Sequence, residues 1–110
     1  MQNILSLNGF KKQLEEHERV ALLLFDPENE SSRSAFRSIT EATYLSEKPP
    51  VFVADITEVS DIQSYFQVSE IPSLMFFVKG KMIEVVKGSN ESDFIKAIIS
   101  HDLSKIEIKT

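Results

Sequence analysis

Apolar residues recur along this chain in two rhythms, and the switches between them divide it into elements. After a short apolar pair, Ile4 and Leu5, come Leu7, Phe10 and Leu14 at three- and four-residue spacing, with Lys11, Lys12, Glu15 and Glu16 between them. That stripe predicts an amphipathic helix, capped by Ser6 or Asn8 and running to about Glu16. Val20, Ala21, Leu22, Leu23, Leu24 and Phe25 are then apolar without interruption. A strand with no polar face must be covered from both sides, as at the centre of an α/β sheet. Asp26 and Pro27 break it.

From 31 to 46 the spacing turns helical again, with a stripe of Ala35, Phe36, Ile39, Ala42 and Thr43. Arg37 and Glu41 stand one turn apart there, placed for a surface ion pair. Pro49 and Pro50 end the region and introduce a second buried strand over 51–55. A short helix over 59–66 leads to Ile71 and Pro72, and a third apolar run follows from Ser73 to Val78. A turn at Lys79, Gly80 and Lys81 joins it to a hairpin partner over 82–86. Lys81, Glu84 and Lys87 around that partner predict a place near the sheet edge. A final helix over 91–100 carries Phe94, Ile95 and Ile98.

The order β-α-β-α-β-α-β-β-α, with no internal repeat, predicts one α/β domain: a small mixed central sheet with helices on both faces. The domain is placed at 1–102 and a C-terminal tail at 103–110. In the tail Ile106, Glu107, Ile108 and Lys109 alternate, as a frayed end or as a strand that pairs with something.

Composition narrows the function classes. At 110 residues, 42% of them hydrophobic and 26% charged, the chain has the make-up of one folded domain that needs neither disulfide nor structural metal. Its formal charge is −5, and its basic residues are scattered as Lys11 with Lys12, Arg33 with Arg37, and Lys79 with Lys81. Neither a nucleic-acid backbone nor an anionic membrane surface is expected as a partner. The uninterrupted run from Val20 to Phe25 falls far short of the roughly 20 residues that span a bilayer. With no basic, apolar leader at the N-terminus, a cytoplasmic address is the simplest expectation. Cysteine is absent, which removes disulfides, thiolate metal ligands and thiol nucleophiles together.

The most specific stretch is Ile71, Pro72 and Ser73, followed by the apolar strand through Val78 and the Lys79, Gly80, Lys81 turn, with Gly88 just before the last helix. In that order, and with Asp55 and Tyr65 in support, it resembles the thioredoxin family over most of the chain. The resemblance implies a thioredoxin-like fold with a cis peptide bond ahead of Pro72. It also places Glu30 and Arg33 where redox-active members carry their two cysteines. Asn29 replaces the preceding tryptophan, and Leu24 replaces a buried aspartate. All the redox parts are missing, and no thiol–disulfide exchange is expected.

What remains is recognition by shape and backbone. In redox-active relatives the backbone just before the proline pairs with an extended substrate segment, so this edge either binds peptide by strand addition or only sets the start of the strand. The loop of Glu28, Asn29, Glu30, Ser31 and Ser32 reads two ways. It supplies helix-start chemistry, with Asn29 or Ser31 as cap and Glu30 at the positive end of the helix dipole. The functional alternative to that helix-start role is a polar surface for a polar or basic partner, one that would repel glutathione. Ser31 and Ser32 lack a base within reach, because His17 and His101 lie in distant segments, so no catalytic residue is expected. Two isolated histidines make no metal site, and no cofactor is implied.

The aromatics Phe25, Phe36, Phe52, Phe66, Phe76, Phe77 and Phe94 are assigned to the core. Arg33 and Arg37 share a helix face, as a solvated surface or as a contact for an acidic partner. The expected role is a redox-inactive protein-binding or adaptor module. It would be a monomer or weak homodimer that holds a protein or peptide partner through Glu28, Asn29, Glu30, Ser31, Ser32, Ile71, Pro72, Ser89 and Asn90. The proximity of these three segments is implied by the resemblance. The alternative is a structural or oligomerisation subunit without groove recognition.

Overall fold

Strands β1 (Gln2–Asn3), β2 (Arg19–Phe25), β3 (Val51–Asp55), β4 (Ser73–Val78) and β5 (Lys81–Lys87) alternate with helices α1 (Leu7–Glu16), α2 (Glu30–Leu45), α3 (Ser60–Phe66) and α4 (Glu91–Ser100). The structure is a computed structural model and describes residues 1–45, 49–87 and 91–101. The strands form one sheet in the order β1-β3-β2-β4-β5. The β1–β3 and β3–β2 pairs are parallel; β2–β4 and β4–β5 are antiparallel. This is the small mixed sheet with helices on both faces that the order of elements predicts, in the α/β arrangement that the family resemblance implies.

Strand β2 lies second from neither edge but in the middle, and its side chains explain why it carries no polar face. Val20, Leu22 and Leu24 point into a core layer with Phe10 of α1 and Ile62 of α3. Ala21 and Leu23 point the other way, among Ala35, Ile39 and Ala42 of α2 and Phe94, Ala97 and Ile98 of α4. All five of these β2 side chains are at most 1% exposed, so each face of the strand is sealed by its own pair of helices. Strand β5, at the sheet edge, has residues 81–84 and 87 exposed. That is the position its charged residues predicted.

Two details differ from the sequence reading. The first strand is Gln2–Asn3, paired with Phe52 and Val53, rather than Ile4 and Leu5. Ile4 still donates its N–H to the Val53 carbonyl at 2.8 Å and is buried, whereas Leu5 turns out to solvent at 82% exposure. Two residues of edge strand suffice because Ser6 at once caps α1, its Oγ accepting from the Gly9 N–H at 2.9 Å. The second difference is at Arg37 and Glu41, which form no ion pair among the described residues. An exposed pair of this kind gains only about 0.3–0.5 kcal/mol against the entropy of holding two long side chains.

The hairpin between β4 and β5 turns through Lys79 (φ 51°) and Gly80 (φ 81°), both left-handed, as a tight two-residue loop requires. At the end of α4, His101 stacks on Phe76 at 3.8 Å between ring centroids. Its Nε2 donates to Oε1 of Glu84 at 2.6 Å, which ties the helix end to β5. The 103–110 tail lies outside the described residues. Among those described, no helix is long and apolar enough to cross a membrane.

Candidate functional site

The sheet register gathers the loops that matter at one end. Leu24 of β2 lies opposite Ser73 of β4, and Ser73 lies opposite Lys87 of β5. The chain leaving β2 at Phe25, the chain entering β4 from Ile71 and Pro72, and the chain leaving β5 at Lys87 therefore emerge side by side. Phe25 is also aligned with Asp55 of β3, whose following turn joins the same end. Ser89 and Asn90, the third part of the expected surface, lie outside the described residues.

The loop after β2 is built by its own polar groups. Asp26 and Pro27 start a turn in which the Asp26 carbonyl accepts from the Asn29 N–H at 2.9 Å. The Asp26 carboxylate accepts from the Glu28 N–H, also at 2.9 Å. Asn29 then caps α2, its Oδ1 accepting from the Ser32 N–H at 3.0 Å. Of the two caps open in the sequence, the helix uses Asn29. Glu30 opens the first turn, where a negative charge complements the helix dipole. Asp26, which the sequence marks with Pro27 only as the break after the strand, is the residue that organises this loop.

Ser32 requires a correction. Its side chain is completely buried, and its Oγ accepts from the Asp26 N–H at 3.1 Å. The hydroxyl ties the loop to the helix and does not reach a partner. Pro72 is also buried. Glu28, Asn29 and Glu30 are exposed, while Ser31 and Ile71 are half-buried, so these five form the accessible part of the expected surface. The Ile71–Pro72 peptide bond is cis. No hydrogen bond to the backbone of Ile71 occurs among the described residues.

Arg33, one turn into α2 from Glu30, folds back so that a guanidinium N–H donates to the Pro27 carbonyl at 2.9 Å. Leu24 is fully buried between Ala54 and Ser73. A carboxylate, a guanidinium and an aliphatic side chain thus stand at the three positions that the family resemblance assigns to redox chemistry. Among the described residues, no three histidine, aspartate or glutamate side chains are grouped to hold a metal ion.

The sequence pattern of the thioredoxin family matches residues 33–101. The chain belongs to the thioredoxin family. It is a member without cysteine, and therefore without the dithiol chemistry of redox-active thioredoxins. Solved thioredoxins share the fold. That of Plasmodium falciparum superposes with a TM-score of 0.86 at 17% identity, over 92% of this chain and 99% of that one. That of Fasciola hepatica gives 0.84 at 16% identity, over 92% and 99%. Malassezia sympodialis thioredoxin gives 0.81 at 21% identity, over 92% of each chain. No curated protein matches the sequence significantly.

Within this thioredoxin fold the cap is the simplest part of the loop to test. Asn29→Ala is expected to cost about 1 kcal/mol, since it removes the acceptor for the Ser32 N–H. A urea titration followed by circular dichroism measures it; an unchanged midpoint would mean that water replaces the cap without loss.

Proposed function

We propose that this thioredoxin-family chain is a redox-inactive binding module, not an enzyme, that holds a protein or peptide partner at the Ile71 end of its sheet. The observation that supports it most is the backbone of Ile71, which has no hydrogen bond among the described residues, at the same end of the sheet as an exposed acidic loop in a chain with no thiol. An extended segment can add to such a backbone by main-chain hydrogen bonds, which need no particular side chains. Glu28 and Glu30, both exposed, would select a polar or basic sequence next to it and disfavour acidic ones. A cytoplasmic address, and a monomeric or weakly dimeric state, belong to the same reading.

A structural or oligomerising subunit is the second reading. It draws on β5, an edge strand whose Met82 and Ile83 are 42% and 53% exposed. Affinity capture and light scattering separate the two. Under the binding-module reading the chain runs as a monomer or weak dimer and enriches a defined partner. Ile71→Asp then lowers that capture at least tenfold while its urea midpoint shows the domain still folded. A tight oligomer insensitive to Ile71→Asp, and disrupted by Ile83→Lys, would replace the first reading with the second.

A further inference from the structure

On the opposite face of the sheet from Ile71 lies a second concavity, where Phe25 and Phe36, assigned to the core from the sequence, meet the Arg33 and Arg37 face that the sequence left open between solvated surface and contact for an acidic partner. It is an open cleft of about 390 Å³ lined by Phe25, Pro27, Arg33, Phe36 and Arg37. We propose that this cleft docks an acidic peptide segment of a partner protein, with an apolar side chain on the phenylalanines and its flanking carboxylates on the arginines.

The floor is apolar and accessible. Phe25 and Phe36 are only half-buried, with ring centroids 5.4 Å apart and planes tilted by 37°. Phe25 is the last residue of β2 and its one aromatic, and it is half-buried where the five residues before it are buried. Such half-covered aromatic pairs gain most when a ligand completes their burial, at roughly 25 cal/mol per Å² of apolar surface.

The rim is cationic in a chain whose net charge is −5. Arg33 and Arg37 are one helical turn apart, about 6 Å between side-chain origins, and both are exposed. Arg33 is held in place by its bond to Pro27, which occupies one of five N–H donors and leaves the rest of the fork free. Arg37 makes no ion pair with Glu41. Two guanidiniums that form no ion pair among the described residues, over an apolar floor, complement a carboxylate next to a hydrophobic group, and guanidinium forks bind carboxylates in a bidentate way.

This site does not rest on the Ile71 edge. Phe25 and Phe36 pack with the α2 and α4 layer, whereas Ile71 packs with the α1 and α3 layer. The test is a titration of the isotope-labelled full chain, followed by amide NMR, with a capped peptide of one phenylalanine flanked by glutamates. Saturable shifts are expected at Phe25, Arg33, Phe36 and Arg37. Affinity should fall about tenfold on Arg37→Glu, and should weaken with added salt and with a glutamine-for-glutamate peptide. Ile71→Asp should leave the titration unchanged. Three outcomes would overturn the proposal: no saturable shifts at millimolar peptide, equal binding of the glutamine peptide, or no effect of Arg37→Glu. Phenylacetate binding as tightly as the peptide would also overturn it, because the cleft would then be a small-anion site.

Discussion

Phe10→Ala is expected to destabilise the domain by about 3–5 kcal/mol, a large share of the roughly 5–15 kcal/mol that holds a domain of this size folded. The ring is fully buried and is the hub of the α1 and α3 layer. It meets Phe52 of β3 at 6.3 Å, Phe66 of α3 at 5.8 Å and Phe77 of β4 at 5.3 Å, each edge-to-face. Truncation removes the buried ring and opens a cavity that three separate elements would have to move to fill. Urea unfolding read by circular dichroism would show the loss. A cost below about 1.5 kcal/mol would mean that α1 collapses onto the sheet, and the rigid packing described above would be wrong.

Leu24→Asp is the second large effect. This fully buried leucine sits where the family resemblance places the buried aspartate of redox-active members. Here Ala54 and Ser73 flank it on the neighbouring strands, in a layer of aliphatic and aromatic side chains. The substitution loses the leucine's burial and installs a carboxyl whose charged form is poorly solvated, so burial pushes its pKa up. The sign of the pH dependence follows. Below the unfolded chain's value of about 3.9 the carboxyl is neutral in both states, and charge adds no penalty. As pH rises past that value the unfolded chain ionises first, the fold loses stability, and the loss levels off above the raised folded value. Leu24→Asn supplies the control for volume and polarity. At neutral pH Leu24→Asp should be less stable than Leu24→Asn by more than about 1 kcal/mol, and the gap should close near pH 4. A pH-independent gap would show that the carboxylate is solvated at this position, and the dry packing around Leu24 would be wrong.

Both substitutions act on residues whose importance is unequally visible in the sequence. Phe10 is legible as core because it falls on the helical stripe with Leu7 and Leu14, a pattern that a local rhythm carries by itself. Its three ring contacts are not legible, since Phe52, Phe66 and Phe77 lie on elements tens of residues away. The site shows the same division. Asn29 was readable as a cap, and the charge of Glu30 as a helix-start feature, because both depend on neighbours within four residues. The burial of Ser32 was not readable: a serine three residues after a cap is ordinarily wet, and here the chain folding back from Asp26 covers it. Phe25 and Phe36 looked like core for the complementary reason. Their apolar character is local, but the extent of the helical cover over the end of β2 is not.

The sequence by itself determined the order of elements, the doubly covered central strand, the edge character of the last strand and the absence of thiol chemistry, because period, charge and composition are properties of adjacent residues. Only the tertiary structure decided that the loop after β2 and the approach to β4 emerge together, that Ile71 and the Arg33–Arg37 cleft face opposite sides of the sheet, and that Gln2 rather than Ile4 begins the pairing. Those outcomes depend on strand register. Register is fixed by contacts between distant segments, and a shift of one residue would turn every β2 side chain to the other layer.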